Sequence, residues 1–225
     1  NGGRGDVLAL AQHVWGGNLG HARRNLRPLA GIMPPAPAPE GAGQTEPRQV
    51  AANWERAAVP RPGSPAWRYL THERCLPADA LHRAVAAGLL REGINATIWA
   101  AHQDVALAVT GWEMRGPTYK GFCKGGRKRL FRVGESRPER VAVTESAIDA
   151  LSLASIEGWR EGTLYVSTGG GWGAETADLL GVILKGASML VIATDRGQGG
   201  DLMAHRLHET ALSRGVVGMR LLPEA

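Results

Sequence analysis

The stretch Arg140-Val-Ala-Val-Thr-Glu145-Ser-Ala-Ile-Asp149-Ala decides how the rest of the chain is read. Val141–Thr144 is a short apolar strand that leads straight into a helix, Ser146–Ser155. The same alternation continues outward: strand Thr163–Ser167, helix Ala174–Leu184, strand Ser188–Thr194, helix Leu202–Ser213, strand Val216–Leu221. Short apolar strands alternating with helices predict a parallel sheet covered by helices on both faces.

In such a sheet ligands gather outside the carboxyl ends of the strands, where loops and helix N-termini converge. Glu145 ends the first strand, Ser167-Thr168-Gly169-Gly170-Gly171 the second, and Asp195-Arg196-Gly197 the third. Asp149 follows Glu145 by one helical turn, so both carboxylates can look into one space. Clustered carboxylates suit Mg²⁺ (or Mn²⁺), a hard cation bound through one or two carboxylates plus substrate phosphates. The helix dipole also favours acids in a first turn, so for Glu145 and Asp149 both readings stay open.

Upstream, Asp6 can cap a helix from Val7 to Trp15, and a second short helix spans His21–Leu29. Nine of the thirteen prolines lie between Pro28 and Pro65, and Pro34–Pro39 reads as an extended linker. Helices are expected at Ala66–Arg74 and Asp79–Ala87, then a hairpin of Ala96–Ala100 with Val105–Trp112, then an irregular basic stretch from Gly111 to Arg132. The domains expected are a helical hairpin (1–31), a Pro-rich linker with a short helix (32–63), a smaller α+β basic module (64–139) and the α/β domain (140–225).

The chain has 225 residues, 44% hydrophobic and 21% charged, which excludes collagen-like and disordered classes. Cys75 and Cys123 form no Cys-x-x-Cys unit, so neither a disulfide framework nor a zinc site is expected. No run approaches the ~18 apolar residues of a membrane span, and no secretory pattern opens the sequence, so a cytoplasmic protein without a membrane partner is expected. The opening Asn-Gly-Gly-Arg-Gly suggests a fragment. Charge divides sharply: residues 1–140 carry 20 basic and 11 acidic side chains, residues 141–225 carry 6 and 10. A basic segment joined to an acidic one suggests a polyanion-binding surface beside a site where acids hold cations.

These residues resemble the Toprim domain shared by bacterial primases, topoisomerases and related nucleases. In that family a glutamate follows the first strand and an Asp-x-Asp motif follows the third. The resemblance implies that Glu145 is the acid/base residue and that Asp195 is a Mg²⁺ ligand, with Asp149 beside it. The second aspartate of the motif would fall at Gly197, which weakens metal binding unless Asp201 reaches back or phosphates complete the site. The segment Gly111 to Phe131 is similar to the one preceding Toprim in primase-like proteins of plasmids, phages and integrative elements. Residues 3–31 look like the tail after a primase zinc ribbon whose ligands are absent here. The resemblance implies Mg²⁺-dependent nucleotidyl transfer or phosphodiester chemistry in replication or mobilisation. Implied partners are single-stranded DNA or RNA, nucleotides, and a helicase or relaxase of the same element.

Between Arg115 and Arg140 stand nine Lys or Arg against two Glu, interleaved with Tyr119, Phe122 and Phe131. That composition suits phosphate contact plus base stacking, with Lys120, Lys124, Arg127, Lys128, Arg129 and Arg132 as the contacts. Two alternatives remain. Gly197 is compatible with a non-catalytic DNA-binding module. Thr168-Gly169-Gly170-Gly171, with an acid ending the next strand, is close to a dinucleotide-binding fingerprint in which these residues would cradle phosphates.

Overall fold

The computed structural model describes residues 7–15, 26 and 47–222. Residues 1–44 and 45–225 form two compact units. In the first, helix α1 (Val7–Trp15) forms where the spacing predicts. Of the expected helix His21–Leu29 only Leu26 is described, and it is helical; the Pro34–Pro39 stretch lies outside the described residues.

The second unit opens with α2 (Pro47–Arg56) and α3 (Pro65–Arg68), the latter continuing as a π-helical stretch through Tyr69–Glu73. Ser64 caps α3, accepting from the Trp67 amide at 3.4 Å, and Pro65 occupies the first helical position, where a missing N–H costs nothing. Helix α4 spans Ala78–Ala86.

A four-stranded antiparallel sheet follows in the order β1 (Leu90–Glu92), β2 (Ile98–Gln103), β3 (Val109–Arg115), β4 (Lys120–Phe122). The expected hairpin is real but displaced toward the C-terminus. Asp104 Oδ1 accepts from the amides of Ala106 and Ala108 at 2.9 and 3.0 Å, which turns Val105–Ala108 into the loop and lets the second strand run on to Arg115. One face of this sheet packs on α2: Trp112 stacks on Trp99 with centroids 4.7 Å apart and leans on Trp54 at 5.8 Å. Ala100, His102 and Glu113 occupy the opposite face.

The other sheet has the order β5-β7-β6-β8-β9: β5 (Phe131–Gly134), β6 (Arg140–Thr144), β7 (Thr163–Ser167), β8 (Met189–Ile192), β9 (Val217–Arg220). The β6–β7, β6–β8 and β8–β9 pairs are parallel, as expected. Strand β5 corrects the wholly parallel expectation, since it runs antiparallel to β7. It comes from the stretch read as irregular, where Phe131 and Val133 turn inward and Arg132 and Gly134 are less buried. Two alternations are too few to announce a strand.

Every residue of β6 and β7 is buried. Val141, Val143, Leu190 and Ile192 pack with Leu179, Leu180, Leu207 and Ala211 from α6 (Ala174–Ile183) and α7 (Gln198–Ser213). Ala142, Tyr165 and Val191 point the other way, toward α5 (Ala147–Ile156), in a core shared with Trp54, Leu81 and Trp112. That shared core joins the two sheets. Among the described residues no helix is long and apolar enough to cross a membrane.

Candidate active site

The chain leaves β6 first toward β7 and later crosses to β8 on its other side. Such a reversal opens a crevice at the carboxyl ends of the strands flanking it, and those ends carry Glu145 and Asp195. The Asp195 amide donates to Glu145 Oε1 at 3.2 Å. Gly200 lies beneath them: a Cβ there would collide with the Asp195 carbonyl and stand 3.0 Å from Glu145 Oε1, so only glycine lets helix α7 start this close. Burial raises the Glu145 pKa, and the charges of Asp195 and Asp149 add to the rise. The Asp195 N–H and Arg220 oppose it.

Asp149 serves both readings left open by the sequence. Its Oδ2 accepts from Ser146 N at 3.0 Å and Ser146 Oγ at 2.6 Å, while the Asp149 amide donates back to Ser146 Oγ, a capping box. The same side chain lines the cleft beside Glu145 and Asp195. Asp201 is not among the cleft residues. It is exposed and paired with Arg220 Nη2 at 3.3 Å, an arginine that also donates to the Asp195 carbonyl at 3.0 Å and to Thr194 Oγ1. Gly197 stands just before α7 with φ of +102°.

The cleft holds about 490 Å³, and its opposite wall carries Arg74, Arg115, Lys120 and Lys128. Four cations thus meet four carboxylates, Glu113 among them. A second hollow of about 380 Å³ shares Arg74, Arg115 and Lys120 and adds Tyr69 and Tyr119. Of the predicted contacts, Lys120 and Lys128 reach the cleft, whereas exposed Lys124 and Arg127 do not. Arg129 is paired with Glu175, and Arg132 donates to the Asp104 carbonyl, so both are engaged in holding the fold. Arg74 and Arg115 were not singled out in the sequence. Arg74 lies far upstream of the basic segment, and Arg115 belongs to the site because it shares a strand face with Glu113.

Glu113 itself gives no sequence signal, yet it lines the cleft from mid-strand at 3% exposure. Its Oε1 accepts from the Ala147 amide at the start of α5, and Arg115 Nε lies 3.7 Å from Oε2. Burial pushes its pKa up to about 7, opposed by the Ala147 N–H, with Arg115 and Lys128 also lowering it and Asp149 raising it. His102, fully buried beside it, is pushed down to about 4, chiefly by burial.

The glycine turn follows β7, and its Gly169 and Gly170 line the same cleft. Gly169 and Gly170 take left-handed φ of +60° and +65°, and Thr168 is fully buried. The Gly170 amide donates to the Glu145 carbonyl at 2.8 Å and the Gly171 amide to the Thr168 carbonyl at 3.2 Å. Two of the turn's amides are therefore already in use within the protein, one of them on the Glu145 carbonyl.

Among the described residues no three His, Cys, Asp or Glu side chains converge closely enough to hold a metal ion by themselves. Glu145 and Asp195 nevertheless adjoin, and their like charges raise the Glu145 pKa, an electrostatic cost that a divalent cation would relieve. The donor set fits a cation completed by water and substrate phosphates, not an all-protein cage. Cys75 and Cys123 are free thiols.

The switch-point crevice is closed by Glu145 and Asp195 at the carboxyl ends of the parallel strands β6 and β8. Residues 142–225 match the family described as Toprim-like, and residues 68–138 match the family described as a protein of unknown function (DUF3991). No curated protein matches the chain. Among solved structures, the DnaG primase catalytic domain bound to ssDNA aligns at 17% identity and TM-score 0.52, over 79% of this chain and 74% of that one. The DnaG catalytic core aligns at 16% identity and TM-score 0.52, over 78% and 71%. The fold is shared with these primase catalytic domains.

Proposed function

We propose that this chain acts on single-stranded nucleic acid and nucleotides, performing divalent-metal-dependent nucleotidyl transfer or phosphodiester chemistry in the manner of a primase. The observation that carries the reading is one cleft in which Glu145, Asp149 and Asp195 face Arg74, Arg115, Lys120 and Lys128. Cations on one wall recruit and orient phosphates, and acids on the other prepare them for reaction. The likeness to a DnaG catalytic domain whose structure holds ssDNA supports the substrate class.

Asp195 and Asp149 would hold the Mg²⁺ or Mn²⁺, which supplies charge neutralisation at the phosphate when bound. Glu145 is the proton-moving group, because burial and its acidic neighbours raise its affinity for a proton. Arg115 and Lys128 hold the phosphates against these acids. Glu145→Gln is expected to lower metal-dependent product formation by roughly 10²–10⁴-fold while leaving oligonucleotide affinity intact. Turnover equal to wild type would overturn the assignment.

Gly197 favours a second reading, a binding module without catalysis, because the second motif aspartate is missing there. Calorimetric titration of Mg²⁺ and Mn²⁺, with and without a short single-stranded oligonucleotide, separates the two. Metal uptake lost in Asp195→Asn supports the catalytic reading, and oligonucleotide binding without metal uptake supports the other.

A further inference from the structure

Glu145 is held from both sides by residues that belong to, or lean on, the four-stranded sheet. Two positions along the chain, the Ala147 amide is one of the donors at a helix start that have no partner within the helix. Ser146 does not serve it, since its hydroxyl accepts from Asp149 N instead. Glu113 Oε1 does, reaching across from β3. On the other side, the Glu145 carbonyl accepts from Gly170 N at 2.8 Å.

The turn containing Gly170 is itself seated on the sheet. A Cβ at Gly169 would stand 2.9 Å from His102 Nε2 and 3.7 Å from Glu113 Oε2, so the bare Cα of Gly169 rests on this pair. Lys128 Nζ donates to the Gly169 carbonyl at 3.1 Å and pins the turn from outside. The Arg129 amide donates to His102 Nδ1 at 3.2 Å, so the imidazole proton sits on Nε2, facing the turn. Among the described residues neither His102 Nε2 nor Glu113 Oε2 has a hydrogen-bond partner. Two buried polar groups are thus kept at a contact where apolar side chains would cost less, and both converge on the supports of Glu145.

We propose that Glu113, backed by His102, is a positioning residue: by capping α5 and seating the glycine turn, it sets Glu145 opposite Arg115 and Lys128. The inference rests on Glu145 being the proton-moving group. It makes the four-stranded module part of the reaction geometry, beyond holding nucleic acid.

The test compares wild type, Glu113→Ala and Glu113→Gln. Amide exchange at Ala147 and Gly170 is read by NMR, and kcat and KM by metal-dependent product formation. Glu113→Ala should speed exchange at Ala147 at least tenfold and lower kcat at least tenfold, with KM for the oligonucleotide within twofold. Glu113→Gln, whose amide oxygen can still accept from Ala147, should restore both. Wild-type exchange and kcat in Glu113→Ala would overturn the proposal, and so would a Gln variant as impaired as Ala. If Glu113→Ala does not fold, Gly169→Ala, which presses a methyl against His102, takes its place. It should lower kcat and loosen Gly170 without removing any charged side chain of the cleft, and wild-type values there would overturn the proposal. A wild type that makes no product defeats the reading of function, and the exchange measurements then still decide whether Glu113 holds Ala147.

Discussion

The two sheets contribute to one cleft in opposite ways. In the five-stranded sheet β6 and β7 are buried along their whole length, and the cleft acids stand where strands end, at Glu145 and Asp195. In the four-stranded sheet Glu113 and His102 sit in mid-strand, with Arg115 on the same face. A platform whose mid-strand positions are apolar but for Tyr165, with Arg140, Thr144, Thr163 and Ser167 buried at the strand ends, places its chemistry at the rim, whereas a sheet with charged groups buried within its strands can present a whole face. Stability should therefore be concentrated in the first sheet, and pH and salt sensitivity in the second.

The largest effect should come from the platform. Leu190 is fully buried in β8 between β6 and β9, so Leu190→Ala removes packing that cannot close up and should cost about 2–5 kcal/mol in chemical denaturation. A smaller loss would mean that the five-stranded sheet is not the rigid partner.

Next comes the opposed pair in the other sheet. Glu113 rises from 4.5 to about 7 on folding, so its share of stability is full below 4.5 and is lost as pH climbs through about 7. His102 falls from 6.5 to about 4, so its share is full above 6.5 and is lost as pH drops through about 4. Each amounts to roughly 3 kcal/mol, with opposite sign, so between about 4.5 and 6.5 the two nearly cancel. Glu113→Gln removes the balance, and urea unfolding across that range should then show stability climbing steeply with pH. A pH profile as flat as wild type would show that the buried charges are not coupled to folding.

The smallest effect separates cleft cations from structural ones. Arg115→Ala and Lys120→Ala should each lower the salt slope of oligonucleotide binding by about 0.7, the value for one lost phosphate contact on a single strand. Arg129→Ala, which loses a pair with Glu175 instead, should leave that slope unchanged. Equal slopes for all three would return the contact surface to the whole basic segment.

The α/β alternation from Arg140 onward was legible because buried parallel strands leave runs such as Val141–Val143 and Leu190–Ile192, and Glu145 and Asp195 follow from where those runs stop. Asp149 and Lys128 lie on the cleft, whereas Asp201, on the first turn of α7, is exposed and paired with Arg220. Strand β5 was hidden by its brevity. Glu113, His102 and Arg74 were hidden for a different reason: the fold brings them to the site from distant parts of the chain, as when Glu113 accepts from Ala147 34 residues on, and single-sequence periodicity carries no record of such pairings.

The left-handed backbone at Gly197 has a consequence for anyone wishing to repair the motif. At φ of +102° an L-amino acid is strained, even though the space around the glycine is open. Gly197→Asp would therefore supply a carboxylate only by refolding the turn that starts α7 and sets the Asp195 amide against Glu145. The motif behaves like a ratchet: a single reversion disturbs the pair it is meant to complete, and rebuilding the site calls for a redesigned loop from Asp195 to Gly200.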